Sequence, residues 1–282
     1  MKYKLIATDM DGTLVNDRSE LTERTKAAIL AAVEAGVLFV TATGRPFSNV
    51  QEVNNLLDRD MPFIVFNGAE GYMGKSGKLL FEHFLDFEVV KEAFDIGQKL
   101  GVSQIVWTGP VLWANRRDDS TSAYEAVCDG LEMRIVEDLA EIRGEVKGFS
   151  KVLWIAEPAT VKEQLVEMRT HFGASTGTVS AGNSRLKCVS SMSHFLEFVS
   201  VNAGKGTALA EVGRLFGIER SEMIAIGDAN NDLCMLEYAG LGVAVANAAD
   251  DIKARCDYVT SSNNDDGVAE VIEKNLSGGR FF

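Results

Sequence analysis

The chain has 282 residues, with 28 Lys and Arg against 41 Asp and Glu, and its formal charge of −13 excludes the broad basic surface that nucleic acid or an anionic membrane would require. With 46% hydrophobic and 24% charged residues the composition is that of a soluble globular protein, and the length predicts about two domains. Four dispersed cysteines (Cys128, Cys188, Cys234 and Cys256) and only three histidines, with no Cys-x-x-Cys pair, speak against a zinc site or a disulfide framework and for a reducing, cytoplasmic setting.

Residues 3–9 predict a buried strand whose apolar run is too short for a signal peptide, and nowhere do about 18 apolar residues run together as a membrane span requires. The strand ends in Asp9 and Asp11, which share one side of an extended segment while Met10 takes the other. Two carboxylates so close repel unless a cation lies between them or one of them holds a proton. Gly12 then permits a sharp turn. Residues 21–36 predict a helix, with Thr22 as N-cap and Gly36 as stop, and residues 37–44 and 63–68 predict the next two strands. This strand–helix–strand rhythm implies a doubly wound parallel sheet, with helices on both faces.

From about residue 85 the rhythm changes. Residues 87–101 predict a helix, and residues 103–116 two strands meeting at Gly109-Pro110, too close together for a parallel crossover. A helix near 121–128, a strand in 149–157, a helix over 159–173 and a strand around 184–191 complete a small α+β domain. After residues 195–201 the parallel rhythm resumes: helix 205–217, strand 223–228, helix 231–240, strand 242–247, helix 250–256 and strand 258–260. The expected organisation is therefore a core of residues 1–84 and 189–282 interrupted by an inserted α+β domain at 85–188. The tail, residues 277–282, reads as a loose end whose two phenylalanines could dock on a partner.

Four polar clusters fall where core strands are expected to end: Asp9 with Asp11, Thr43-Gly44-Arg45, Asp228 with Asn231 and Asp232, and Asn247. In an open parallel sheet those ends form the ligand crevice, so the clusters should converge. Asp228, Asn231 and Asp232 resemble helix-capping residues taken singly, but capping does not explain so many carboxylates and amides beside a second acidic pair. Hard oxygen ligands without His or Cys point to Mg²⁺. Lys205 stands at a predicted helix N-terminus, where the macrodipole disfavours a cation, and with the free backbone N–H groups it would suit a phosphate. Ala208, Leu209, Val212, Leu215 and Phe216 mark the buried stripe of that helix. Thr43 offers a hydroxyl and Gly44 close backbone approach. Arg45 could meet a substrate anion or a surface carboxylate, and Asn247 reads as a helix cap.

Taken in order, "DMDGTL", "TGR", the glycine-flanked Lys205 and "GDANND" resemble the four motifs of the haloacid dehalogenase-like hydrolases, and the insertion resembles the C2-type cap of the Cof-like branch. That resemblance implies a Rossmann-like core and a Mg²⁺-dependent phosphatase of small phosphomonoesters, such as sugar phosphates or phosphorylated cofactors. It implies that Asp9 attacks phosphorus to form an aspartyl phosphate and that Asp11 protonates the leaving alcohol and then accepts a proton from water. It further implies that Mg²⁺ is held by Asp9, the Asp11 backbone carbonyl and Asp228 with Asp232 in support, and that Thr43, Gly44, Lys205 and Asn231 hold the phosphoryl group. Retention of Asp11 favours ester cleavage over halide expulsion, which needs no proton. The alternatives are a phosphosugar mutase or other phosphotransferase, and a non-catalytic module that binds phosphate and metal. Within the insertion, Trp107, Trp113, Arg116 and Arg117 are candidates for substrate contacts, against packing for the tryptophans and a solvated face for the arginines.

Overall fold

The computed structural model describes residues 2–50, 53, 55, 59–109, 111–128, 131–173, 186–190 and 192–281. Its strands in chain order are β1 (Leu5–Thr8), β2 (Leu38–Ala42), β3 (Pro62–Val65), β4 (Glu70–Met73), β5 (Leu79–Glu82), β6 (Ser103–Thr108), β7 (Val111–Ala114), β8 (Glu132–Ile135), β9 (Lys151–Ile155), β10 (Lys187–Val189), β11 (Phe195–Val199), β12 (Met223–Gly227), β13 (Leu241–Val245) and β14 (Tyr258–Thr260). The helices are α1 (Glu23–Glu34), α2 (Phe87–Lys99), α3 (Asp119–Val127), α4 (Pro158–Phe172), α5 (Lys205–Phe216), α6 (Leu233–Leu236), α7 (Asp250–Lys253) and α8 (Gly267–Leu276). They divide into two compact units, Met1–Glu82 with Gly204–Phe282, and His83–Ala203.

The first unit is built on a sheet of order β14-β13-β12-β1-β2-β3-β4-β5, parallel from β14 to β3. Every residue of β1, β12 and β13 is buried, which requires cover on both faces and is why these strands read as unbroken apolar runs. α1 starts where Thr22 Oγ1 accepts the Thr25 N–H at 3.1 Å, a cap worth about 1 kcal/mol. Ile29 is fully buried on its inner face and contributes about 1.5–3 kcal/mol.

β4 extends this sheet antiparallel to β3 and β5 antiparallel to β4, so the change of rhythm comes at residue 70, earlier than the sequence suggests. The short Gly- and Lys-containing segment 74–78 allows only a hairpin there. α8 closes the unit beside α1, burying Val268, Ala269, Val271 and Ile272 at helical spacing. The tail is not loose: the Phe281 ring packs edge-on against Tyr3 and Tyr258 at 6.0 and 5.4 Å, and Phe282 lies outside the described residues.

The second unit carries a sheet of order β10-β11-β9-β6-β7-β8, antiparallel except for β7 with β8. Val106, Val152, Trp154 and Phe198 pack with Val90 and Phe94 of α2 and with Val161, Met168 and Phe172 of α4 to form its core. β6 and β7 pair as a hairpin around Gly109, and Pro110 lies outside the described residues. The return to the first unit falls at 203/204 rather than at 188/189. β11 pairs antiparallel with β9 and β10, and its apolar run alone cannot be told from a buried parallel strand.

Trp107 is fully buried, edge-on to Tyr124, and Trp113 donates from Nε1 to Thr108 Oγ1 at 3.0 Å. Arg116 pairs with Asp118 at 2.7 Å and Arg117 with Glu125 at 2.6 Å, so both guanidiniums are engaged by carboxylates of their own unit.

Candidate active site

β1 lies between β12 and β2, so the chain leaves it toward one side of the sheet and returns on the other. That divergence opens a crevice at the carboxyl ends of the strands. Asp9 follows β1, Thr43 follows β2, Asp228 follows β12 and Asn247 lies beyond β13.

Asp9 is buried, and its N–H donates to the Ile226 carbonyl at 2.9 Å, which fixes it against β12. Gly12 turns the chain with φ +75°, and a Cβ there would come within 2.9 Å of Asp228 Oδ2. A side chain at position 12 would therefore be strained and would collide with the acidic cluster. Thr13 Oγ1 donates to Asp228 Oδ1 at 2.8 Å, holding that carboxylate beside Asp9. Asn247 caps no helix: its Nδ2 donates to the Gly12 carbonyl at 2.8 Å and its Oδ1 accepts the Asn263 N–H at 3.0 Å, tying the turn to the far side of the sheet.

Asp232 is fully buried. It precedes α6 without capping it, and Oδ2 instead accepts the N–H groups of Asp228 and Ala229 at 3.1 and 3.0 Å. Its Oδ1 accepts from Lys205 Nζ at 2.6 Å, and the same ammonium donates to Asp9 Oδ1 at 2.5 Å. Lys205 is the first residue of α5 and is itself sealed from solvent. The anions that offset the positive helix terminus are thus two carboxylates of the chain itself. Leu215 and Phe216, expected on the buried stripe of α5, are 42% and 39% exposed in its last turn before left-handed Gly217, while Lys205 and Gly206 join the buried side.

One carboxylate oxygen each from Asp9, Asp228 and Asp232 lies within 4.8 Å of the others. With all groups ionised, three carboxylates and one ammonium sum to −2 (−3 and +1), a charge that a divalent cation balances. Burial pushes the Asp9 carboxyl up to about 7 despite Lys205, with Asp232 and Asp228 adding to the rise. Burial also raises Asp228 against the hydrogen bond from Thr13. Burial works to discharge Lys205, but Asp9 and Asp232 outweigh it and hold the ammonium above its ordinary value. An all-oxygen donor set of this charge fits Mg²⁺.

The Asp11 side chain stands apart from this trio. Arg45 holds it with two bonds, Nε to Oδ2 at 2.9 Å and an NH2 donor to Oδ1 at 2.5 Å, so Arg45 meets a carboxylate of the chain. Thr43 is buried, and its Oγ1 accepts the Arg45 N–H at 3.1 Å. A Cβ on Gly44 would lie 3.1 Å from Asn67 Nδ2, and Asn231 Nδ2 donates to Asn67 Oδ1 at 3.0 Å. Asn67 carries no motif in the sequence; its one signal is its place at the exit of a core strand, in "FNG".

The family model for haloacid dehalogenase-like hydrolases matches residues 6–272. The chain belongs to the haloacid dehalogenase-like hydrolases. Among its relatives in this hydrolase family, YxeH of Bacillus subtilis (strain 168) is 32% identical over 276 residues, covering 96% of this chain and 98% of that protein. YwtE of the same organism, named a 5-amino-6-(5-phospho-D-ribitylamino)uracil phosphatase, is 29% identical over 98% of this chain and 99% of its own length. The crystal structure of a haloacid dehalogenase-like hydrolase from Bacteroides thetaiotaomicron superposes with a TM-score of 0.83 at 29% identity, covering 97% of this chain and all of that one. The doubly wound core of the first unit is accordingly the fold of this hydrolase family. Among the described residues no helix is long and apolar enough to cross a membrane.

Proposed function

We propose that this hydrolase is a Mg²⁺-dependent phosphatase of small phosphomonoesters, sugar phosphates or phosphorylated cofactors, working through an aspartyl phosphate on Asp9. The observation that carries it is the convergence of Asp9, Asp228 and Asp232 around one point, with Lys205 bonded to two of them. A relative named as a phosphatase of a phosphorylated ribitylamino compound supports the substrate class.

Asp9, Asp228 and Asp232, with the backbone carbonyl of Asp11, would hold Mg²⁺. When bound, the ion neutralises charge between the carboxylates and the phosphate dianion that they would otherwise repel. Asp9 Oδ attacks phosphorus, the ester oxygen leaves with a proton from Asp11, and Asp11 then takes a proton from the water that hydrolyses the acyl phosphate. Lys205, Thr43, the Gly44 N–H and Asn231 stabilise the charge on the transferring phosphoryl oxygens. The second unit acts as the cap that selects the rest of the substrate. The enzyme is cytoplasmic on this account, which its four free cysteines support.

The test is phosphate release from p-nitrophenyl phosphate in Mg²⁺ buffer. The wild type turns over, and Asp9→Asn loses about 10³-fold or more in kcat, as removal of a nucleophile does. An Asp9→Asn protein with wild-type activity would refute the proposal.

A further inference from the structure

Three successive residues after β3 sit in the left-handed region: Phe66 at φ +50°, Asn67 at +54° and Gly68 at +97°. For Phe and Asn that conformation is unfavourable, and such strain persists only where surrounding contacts enforce it. Those contacts lead to three different loops of the candidate site. The Phe66 N–H donates to the Arg45 carbonyl at 3.1 Å and the Asn67 N–H to the Thr43 carbonyl at 2.9 Å. A Cβ on Gly68 would lie 2.3 Å from the Gly204 carbonyl oxygen, so only glycine lets this turn press against the residue that leads into Lys205. Finally, the Asn67 amide lies against Gly44 and accepts from Asn231.

We infer that Asn67 is a positioning residue: its amide sets the Asn231 side chain and the Gly44 backbone for the phosphoryl group. This rests on the phosphatase reading, since Asn231 and Gly44 are its phosphoryl contacts. Asn is suited to the task because it tolerates a positive φ better than other side-chain-bearing residues while presenting an amide. The turn gives the sheet a fifth strand-exit loop at the site, one that no sequence motif marks.

The experiment is a double-mutant cycle on inorganic phosphate binding in Mg²⁺ buffer, by isothermal titration, for the wild type, Asn67→Gly, Asn231→Ala and the pair. Glycine keeps the backbone conformation and removes the amide, so the melting temperature should stay within about 3 °C of the wild type. Should N67G lose its cooperative melt, Asn67→Ser takes its place in the cycle with the same expectation. Each single variant should weaken phosphate binding about tenfold, and the pair by clearly less than about a hundredfold, because the Asn67–Asn231 bond is lost in both. Unchanged binding in N67G, or effects that multiply in the pair, would overturn the inference. A wild type that releases phosphate from an ester while N67G behaves identically refutes this inference alone. A wild type that neither binds phosphate nor releases it refutes the phosphatase reading and this inference with it.

Discussion

Lys205 Nζ lies 2.6 Å from Asp232 Oδ1, and neither side chain reaches solvent. Between them they join α5 to the loop after β12, and the ammonium also touches Asp9. Removing it leaves buried carboxylates without their cation. Lys205→Ala should therefore destabilise the chain by about 3–5 kcal/mol. In thermal melts this appears as a lowered midpoint in EDTA that Mg²⁺ partly restores. A variant as stable as the wild type in EDTA would show that the carboxylates do not depend on Lys205.

Mg²⁺ should raise the melting midpoint of the wild type, and EDTA should reverse the rise. A ligand at a hundred times its Kd adds about 2.7 kcal/mol. Asp228→Ala removes one of the three converging carboxylates and should abolish the shift while leaving the fold intact, since Asp228 is only half-buried. An equal Mg²⁺ shift in this variant would place the ion elsewhere.

The pairing of Asp11 with Arg45 separates two roles for the carboxylates of the "DMDGT" turn. If Asp11 protonates the leaving alcohol, Asp11→Asn should slow first-turnover alcohol release from alkyl esters by about 10²–10⁴-fold and spare the first-turnover burst of p-nitrophenolate, which leaves without a proton. Steady turnover of both esters should fall, because the water has lost its base. Arg45→Ala should lower activity on both esters less than D11N does on the alkyl ester. Equal losses on both esters in the first turnover of D11N would assign Asp11 a role other than protonating the leaving group. The same assay, run with a sugar acceptor present, separates hydrolysis from transfer by whether free phosphate accounts for all the ester consumed.

Much of this site is legible in the sequence because it depends on residues at strand exits. Asp9, Thr43 and Asp228 each end an apolar run of four or five buried residues, and parallel strands force such ends together. Asn67 escaped the same logic because a Phe-Asn-Gly turn looks like ordinary loop chemistry until its φ angles and its bond to Asn231 are seen. The placement of β11 was not legible either, since strand pairing is a property of the partner as much as of the run itself. Asn247 illustrates the reverse error. Its place before an acidic helical segment suggests a cap, yet the helix begins after Ala249 and the Asn247 amide is spent on Gly12 and Asn263.

In the second unit, burial alone would raise the Asp118 carboxyl, but hydrogen bonds from Arg116, Ser103 and Thr121 outweigh it and hold the group well below the usual carboxylate range. A depressed value stabilises the fold above the unfolded pKa of about 4 and ceases to do so as the pH falls towards the folded one. Asp118→Asn keeps the shape of the side chain and removes the charge. Urea denaturation should find it about 1–2 kcal/mol less stable than the wild type at pH 7, with the gap narrowing steadily below about pH 4. A gap that is the same at pH 7 and pH 3 would contradict the assignment.

The central claim is that Asp9 becomes the phosphoryl carrier, and acid-quenching the enzyme during turnover of a phosphomonoester in Mg²⁺ tests it most directly. Mass spectrometry of the digested protein should find one phosphoryl group on the peptide that contains Asp9, absent without substrate and absent from Asp9→Asn. Steady release of phosphate by the wild type with that peptide unmodified at every quench time, and with Asp9→Asn equally active, would contradict it.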